Sequence, residues 1–335
     1  MKVLVTGGGG ALGLAVCRKL LERGHAVRSV SRGAYPVLDA LGVETQRGDL
    51  SDPAAAEAAV VGCEAVMHVA GRTGSFGPDR VYAPANVDST LNLLAAAGEA
   101  GIGRFVYTST PSVVHGGGDV AGADESLPYP EHFETAYQRT KAAAEQAVLT
   151  QNGKGMATVA LRPHLVWGAG DSNLTQRVVE RARAGRLRFV GDGTNAVDGC
   201  YLDNAADAHV LAVESIGPGA ACAGKAYFVT NDEPMPTREL VNGIVTAAGL
   251  PPVSATVSPA LARVVGGVLE LAWTVMGRTD EPPMTRFVAT QLSTVHWYDI
   301  GAIKRDLGYV PRVSSEEGFA RLRAWFEAGM PTVPD

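Results

Sequence analysis

Lys2-Val-Leu-Val-Thr-Gly-Gly-Gly-Gly-Ala-Leu-Gly13 decides the fold of this chain. Strand-forming residues run straight into a glycine cluster, and alanine- and leucine-rich sequence follows as a helix over 11–23. The glycines read as GxGxxG (Gly8, Gly10, Gly13) or as GxxGxxG (Gly7, Gly10, Gly13). Glycine lets the backbone turn tightly and lets a diphosphate approach the helix N-terminus, where free N–H groups and the helix dipole attract it. Between a strand and a helix the motif has the context it requires. It predicts that Gly7, Gly10, Ala11, Leu12 and Gly13 hold a dinucleotide.

Outward from this turn, β-branched runs alternate with alanine-rich ones. Strands are expected at 26–31, 43–47, 65–69, 104–109 and 157–162, and helices at 53–61, 85–100 and 134–151. Repeated βαβ units and near-continuous apolar strands mean a buried parallel sheet. The fold class is therefore α/β, a Rossmann-type doubly wound parallel sheet. After about residue 165 the alternation loosens and the chain turns mostly helical. The expected division is a dinucleotide-binding part, 1–165, and an interwoven substrate-binding part, 166–335, with a return strand near 226–230.

The end of the second strand chooses the dinucleotide. An acidic residue there would bind the adenine ribose hydroxyls and repel a 2′-phosphate. This chain has Ser31-Arg32, and a guanidinium offers a charged fork to phosphate, which favours NADP(H). The other reading has Arg32 stacked on the adenine of NAD. Asp49-Leu50, after the third strand, is placed to hold the adenine edge. Val69-Ala70-Gly71, after the fourth, would pass beneath the cofactor ribose, with His68 structural rather than catalytic.

A net charge of −6 and a pI near 5.7 argue against a nucleic-acid partner, which calls for a basic face. Cys17, Cys63, Cys200 and Cys222 are scattered without a CxxC, and the seven histidines show no ligand spacing, so no metal site is expected. Strand-like sequence from Lys2 leaves no room for a signal peptide, and the expected location is the cytoplasm. Residues 259–276 (PALARVVGGVLELAWTVM) are apolar but carry Arg263 and Glu270, too many charges for a transmembrane span. A buried or substrate-covering amphipathic helix is expected there, and membrane-peripheral contact is the second reading.

The chemistry is carried by Tyr137-Gln-Arg-Thr-Lys141. A phenol and an ammonium four residues apart share one helix face. There the cation is expected to lower the phenol's pKa and make it a usable acid or base. Thr108, Ser109 and Thr110 supply hydroxyls upstream. On its own, Thr110 reads as capping the turn before Pro111. Asn86, opening the helix expected at 85–100, reads as an N-terminal cap. Arg72 is a candidate for a substrate carboxylate, and Trp167, Phe189, Tyr201 and Trp297 are apolar enough to line an acyl-chain pocket, although such residues are more often simply core.

Together TGGGGALG, GDL at 48–50, HVAG at 68–71, YTST at 107–110 and YQRTK resemble the extended short-chain dehydrogenase/reductase superfamily. LRP at 161–163, WGAGD at 167–171 and YLDNAADAH at 201–209 extend the resemblance over almost the whole chain. Within the superfamily, YTSTPSVVH, LRPHLVWGAGD and DGCYLDNAADAH resemble the 3β-hydroxysteroid dehydrogenase group. The wording of RARAGRLRFVGDGTN and of the C-terminal third is similar to the bacterial 2-alkyl-3-oxoalkanoate reductases of long-chain olefin biosynthesis.

The resemblance implies Tyr137 as proton donor, Lys141 on the nicotinamide ribose, and Pro163 and Leu165 beside the nicotinamide. It makes Thr110 the candidate to hold the substrate oxygen, with Ser109 second. For Asn86 it implies, equally with the cap, a contact with the cofactor or the helix backbone. It implies a long-chain β-keto acid as substrate and a homodimer through the helices at 85–100 and 134–151. It further implies assembly with the β-lactone synthetase and β-lactone decarboxylase of the olefin pathway. An NAD-dependent 3β-hydroxysteroid or sterol dehydrogenase is the alternative. Sugar-nucleotide epimerases use the same acid–base pair, but the apolar C-terminal third fits a greasy substrate better. A non-catalytic NADP-binding regulator would lack the Tyr/Lys pair that this chain keeps.

Overall fold

The computed structural model describes residues 1–330. Its centre is a seven-stranded, wholly parallel sheet in the order Lys225–Val229, Ala157–Pro163, Arg104–Thr108, Ala65–His68, Lys2–Thr6, Ala26–Ser31, Glu44–Arg47. Successive residues of a strand point to opposite faces, and the two cores divide accordingly. Val3 and Val5, Ala65 and Met67, and Val106 join one buried cluster. Leu4, Val66, Phe105 and Tyr107 join the cluster on the other face. Helices Ala11–Glu22 and Leu202–Ser215 cover the first face, and Pro53–Val60, Ser89–Glu99 and Ala136–Thr150 cover the second.

The expected return strand exists, one residue earlier than read, as the edge strand Lys225–Val229. All seven strands run the same way, so the segments leaving their carboxyl ends collect along one edge of the sheet. That edge is where open α/β sheets bind ligands.

The helix expected at 85–100 begins earlier and is interrupted. Asp79–Ala83 runs into a π-helical turn at Pro84–Asp88, and only then does Ser89–Glu99 continue as regular helix. Proline brings no N–H to the helical ladder, and a widened π turn accommodates the missing bond. Asn86 therefore lies inside the widened turn and is buried, so it caps no helix.

A third cluster, around Trp167, Tyr201, Leu240, Ile244 and Leu322, holds the later residues together. Trp167 is fully buried, with its ring centroid 5.1 Å from that of Tyr201 and 4.7 Å from that of Phe319. Trp167 and Tyr201 are thus core, not pocket lining. Trp297 packs on Gly122 in a small separate sheet. Of the four aromatics expected in an acyl-chain pocket, only Phe189 borders the large cleft.

Helix Pro259–Val275 starts with Pro259 in its first turn, and the Ser258 hydroxyl accepts from the Leu261 N–H. It packs on the segment 285–291 through Ala262 and Gly266, where a Cβ on Gly266 would meet the Thr285 backbone at 2.6 Å. Those two are its only buried residues, so the expected buried helix is largely exposed. Among the described residues no helix is long and apolar enough to cross a membrane.

Candidate functional site

Gly7 takes φ +72°, and a Cβ there would lie 2.9 Å from Ala70 Cα. A Cβ on Gly13 would overlap the Gly7 carbonyl, so the first helix starts hard against the turn. Only glycine satisfies both positions. The result is a helix N-terminus presented at the floor of a cleft of about 1650 Å³, beside the 69–71 segment. That exceeds the range of about 300–1,000 Å³ common for small-molecule sites and leaves room for a substrate beside a dinucleotide.

A chain of buried hydrogen bonds fixes the loop beneath the glycines. The Ala70 N–H donates to the Thr6 hydroxyl (2.9 Å), and Thr6 bonds His68 Nδ1 (2.7 Å). On its other side His68 Nε2 meets the Thr90 hydroxyl (3.0 Å), which donates to the Asn86 carbonyl (2.7 Å). Because Thr90 spends its proton on Asn86, it accepts from His68, and the network assigns the His68 proton to Nε2. Burial, with Lys141 nearby, lowers the His68 pKa to about 3, so the ring is neutral. His68 acts here as scaffold.

The Asn86 side chain completes the arrangement. Its Oδ1 accepts from the Arg72 N–H (2.7 Å), and its Nδ2 donates to the Arg72 carbonyl (3.1 Å) and the Thr140 hydroxyl (3.1 Å). One amide thus ties the loop after His68 to the helix that carries Tyr137 and Lys141. Sequence reading missed this clasp because nothing local announces a π turn. Arg72 is exposed on the cleft, with its guanidinium 5.7 Å from the Tyr82 ring centroid.

At the far end of the cleft, Arg32 is exposed and Ser31 Oγ donates to the Gly33 carbonyl (3.1 Å). Arg47 donates to the Arg32 carbonyl (3.4 Å), bringing a second guanidinium to that corner. Hydrogen bonds from Ser51, helped by Arg32, hold the Asp49 carboxyl below its ordinary pKa. The Tyr35 ring lies against Gly9 and Gly33 at the cleft edge, a neighbour not foreseen from the sequence.

Helix Ala136–Thr150 begins with a capping box. Thr135 accepts from the Gln138 N–H (3.2 Å), and Gln138 Oε1 accepts from the Thr135 N–H (3.1 Å). Gln138 Nε2 also donates to the carbonyls of Ser112 and His115 (3.1 and 3.2 Å). This pins the turn after Thr110 to the first turn of the Tyr137 helix, and brings the Thr110 hydroxyl near enough to the Tyr137 phenol to pull its pKa down. Thr110 also accepts from the Ser112 N–H (3.3 Å), so it caps its turn as well. Ser109 borders the cleft, and its Oγ is buried without a partner.

Burial holds the Tyr137 phenol above its ordinary pKa, and the Thr110 hydroxyl opposes this. The expected lowering by Lys141 is not seen in this state. Lys141 Nζ instead donates to the Thr108 carbonyl (2.6 Å) and lies 4.2 Å from the Tyr107 ring centroid. Burial pushes the Lys141 pKa down to about 7, against the pull of Glu145. A protonated phenol beside a hydroxyl is suited to donating a proton to an oxyanion.

One cleft thus borders Gly7, Gly10, Ala11, Leu12, Gly13, Ser31, Arg32, Asp49, Leu50, Val69, Ala70 and Gly71, along with Thr110, Tyr137, Pro163 and Leu165. Lys141 is buried just behind this wall. The same cleft is also lined by Leu174, Val178, Phe189, Leu261, Met284 and Phe287, interspersed with Arg177, Glu180, Arg181, Arg186, Arg188 and Glu281.

Residues 4–260 match the model of the 3-beta hydroxysteroid dehydrogenase/isomerase family. The chain is 54% identical over 327 residues to a 2-alkyl-3-oxoalkanoate reductase of Stenotrophomonas maltophilia, covering 97% of this chain and 99% of the relative. A 2-alkyl-3-oxoalkanoate reductase of Shewanella oneidensis is 45% identical, over 96% of this chain and 85% of the relative. Among solved structures, UDP-glucose 4-epimerase of Thermotoga maritima superposes with a TM-score of 0.78, 21% identity and coverage of 99% and 100%. That likeness is one of fold.

Proposed function

The chain belongs to the 3-beta hydroxysteroid dehydrogenase/isomerase family, and from that premise we propose that it reduces the 3-keto group of a 2-alkyl-3-oxoalkanoic acid with NADPH, giving the 2-alkyl-3-hydroxyalkanoic acid. It is an oxidoreductase, and its fold is that of nicotinamide-dinucleotide enzymes. The observation that carries the finer reading is one cleft bordered by the glycine turn, the neighbouring Tyr137 and Thr110, and a set of large apolar side chains. A polar substrate would leave those apolar side chains without a partner, whereas two alkyl chains would cover them.

In this reading Gly7, Gly10, Ala11, Leu12 and Gly13 hold the diphosphate, and Arg32 with Ser31 takes the 2′-phosphate. Asp49 and Leu50 border the adenine. Val69, Ala70, Gly71, Pro163, Leu165 and Lys141 enclose the nicotinamide half. The bound cofactor supplies hydride to the ketone carbon. Tyr137 donates its proton to the oxygen that becomes alkoxide. Thr110 orients that phenol and offers its own hydroxyl to the same oxygen. Lys141 holds the ribose side from behind the wall. Arg72, exposed on the cleft, is placed to meet the substrate carboxylate. We assign the cofactor part to residues 1–165 and the substrate part to 166–335.

The same reading places the enzyme in the cytoplasm, in long-chain olefin synthesis beside a β-lactone synthetase and a β-lactone decarboxylase. It also makes the enzyme a homodimer through the helices near 85–100 and 134–151. A 3β-hydroxysteroid dehydrogenase using NAD is the second reading, favoured by the family's name. Nicotinamide absorbance separates the two. A synthetic 2-alkyl-3-hydroxy fatty acid with NADP and a 3β-hydroxysteroid with NAD should be run side by side, in the oxidative direction because β-keto acids lose CO2. Turnover of the fatty acid with NADP is expected, and turnover of steroid alone or with NAD alone would overturn the reading.

A further inference from the structure

Helix Pro259–Val275 carries its large apolar side chains on the outside. Val264, Val268, Leu271 and Val275 are 64%, 63%, 66% and 79% exposed, and Leu261 and Val265 continue the same stripe to the cleft. The three- and four-residue spacing puts them on one face, while small residues, Ala262 and Gly266, make the contact with the body. A helix that buries its small residues and exposes its large ones is not built for water alone.

A second feature shares this rim. Between residues 177 and 188 the chain has Arg177, Arg181, Arg183, Arg186 and Arg188 against one acid, Glu180, although its net charge is −6. All but Arg181 are exposed. Arg177 pairs with Glu281, and Arg181 and Arg188 donate to backbone carbonyls, so among the described residues Arg177 alone of the five makes an ion pair. The following strand, Phe189–Val190, pairs with Thr256–Val257, which leads directly into the exposed helix. Arg186, Arg188, Leu261 and Val265 all border the same cleft. At the other end of the helix, Arg278 lies over the Trp273 ring at 4.5 Å, an amphipathic pair of the kind that sits at a lipid–water boundary.

We propose that this face seats on an anionic phospholipid surface, with the helix in the plane of the headgroups and the arginines on the lipid phosphates. Apolar burial and attraction to anionic lipid act together in such a contact. At 17 residues the helix is about 26 Å long, and it lies on the surface rather than crossing it. A second copy of the chain is the poorer occupant, because a two-fold contact would bring its arginine cluster towards this one. The seat opens the cleft towards the acyl layer, and the proposal stands whatever substrate enters there.

Vesicle flotation of the full chain tests it. The chain is expected to float with vesicles containing phosphatidylglycerol, and about tenfold less with phosphatidylcholine alone or at high salt. V264E/V268E/L271E, whose positions do not border the cleft, should lose flotation about tenfold while keeping the wild-type Tm and the wild-type turnover of a short, soluble substrate. R183E/R186E should lose the preference for anionic vesicles. Absence of flotation, or equal flotation with both lipids, overturns the proposal, as does a triple variant that floats like wild type. A concentration-dependent dimer, dispersed by the triple variant without any vesicle binding, would assign the face to a second copy instead.

Discussion

Lys141 Nζ sits 2.6 Å from the Thr108 carbonyl oxygen and makes no hydrogen bond to Tyr137, four residues earlier on the same helix. The ammonium is buried, and its pKa falls to about 7. The unfolded chain therefore binds a proton that the folded chain gives up between about 7 and the ordinary 10.5. The cost to stability is full below pH 7 and shrinks as pH rises towards 10.5. K141M, of similar size and uncharged, should melt no lower than wild type at pH 6, with any advantage fading by pH 9. Its turnover should fall by about 100-fold or more, since the ribose side loses its cation. A variant that melts lower at pH 6 than at pH 9, relative to wild type, would contradict this.

Tyr137 and Thr110 make a separable pair. Y137F should keep dinucleotide binding, measured by quenching of protein fluorescence, and lose about 10²–10⁴ in turnover. T110A should lose about 10²-fold in turnover, the scale of one oxyanion donor, and about 1 kcal/mol of stability with its turn cap. S109A is the control, because the Ser109 hydroxyl has no partner. If S109A is the damaged variant and T110A is not, the register of YTST is one residue off. Burial raises the Tyr137 pKa, so the phenol stays protonated at neutral pH. Reduction is then expected to hold through neutrality, and the oxidative rate to climb with pH as the phenolate becomes available.

The sheet was legible because each of its strands carries its own pattern. Val3 and Val5 against Leu4, like Met67 against Val66, alternate between two buried faces, and glycine at 7 and 13 is required by contacts one can name. What stayed hidden depends on long-range packing. Asn86 reads as a cap until Pro84 widens the helix and turns it inward. Trp167 and Tyr201 have the composition of a pocket wall, but they pack on Phe319 and each other instead. The Tyr137–Lys141 spacing was visible. The direction of the phenol's shift was not, because it is set by burial, which only the packed structure reveals.

N86L should test the clasp between Arg72 and Thr140. The amide makes three hydrogen bonds, and removing it leaves the Arg72 N–H and carbonyl, in a partly buried position, without their partner. A loss of about 1–3 kcal/mol in unfolding free energy is expected from urea titration. The dinucleotide affinity should fall with it, because the 70–72 segment loses its anchor. Unchanged stability would show that the loop is held by the Thr6–His68 chain alone.

Arg32 should discriminate between cofactors. R32A is expected to raise the KM for NADPH by about 10–100-fold, the loss of one charged fork on phosphate, with little change for NADH. Equal loss with both cofactors would instead identify Arg32 as an adenine-stacking residue. Arg47, which bonds the Arg32 carbonyl, should show a smaller effect in the same direction.

Stability should fall steeply in mild acid. Burial lowers the pKa of His68 and His164 to about 3 and of His115 and His209 to about 4. His115, His164 and His296 also lie against one another, with ring centroids 5.9 and 5.1 Å apart, so each charge opposes the next. Unfolding returns each ring to an ordinary pKa of about 6.5. Below that pH the unfolded chain binds more protons than the folded one, so stability is complete above it and is lost as pH falls towards 4 and then 3. Each ring contributes up to about 1.4 kcal/mol per pH unit in that window. Asp198 and Glu125 work the other way, since burial raises the Asp198 pKa to about 6 and also raises that of Glu125, but five histidines, His296 included, are shifted down. Urea midpoints measured from pH 8 to pH 4.5 should therefore drop progressively below 6.5, while above about 7 they rise with pH as the cost of the buried Lys141 ammonium is relieved. A midpoint that stays level down to pH 5 would mean that these rings are hydrated and titrate normally.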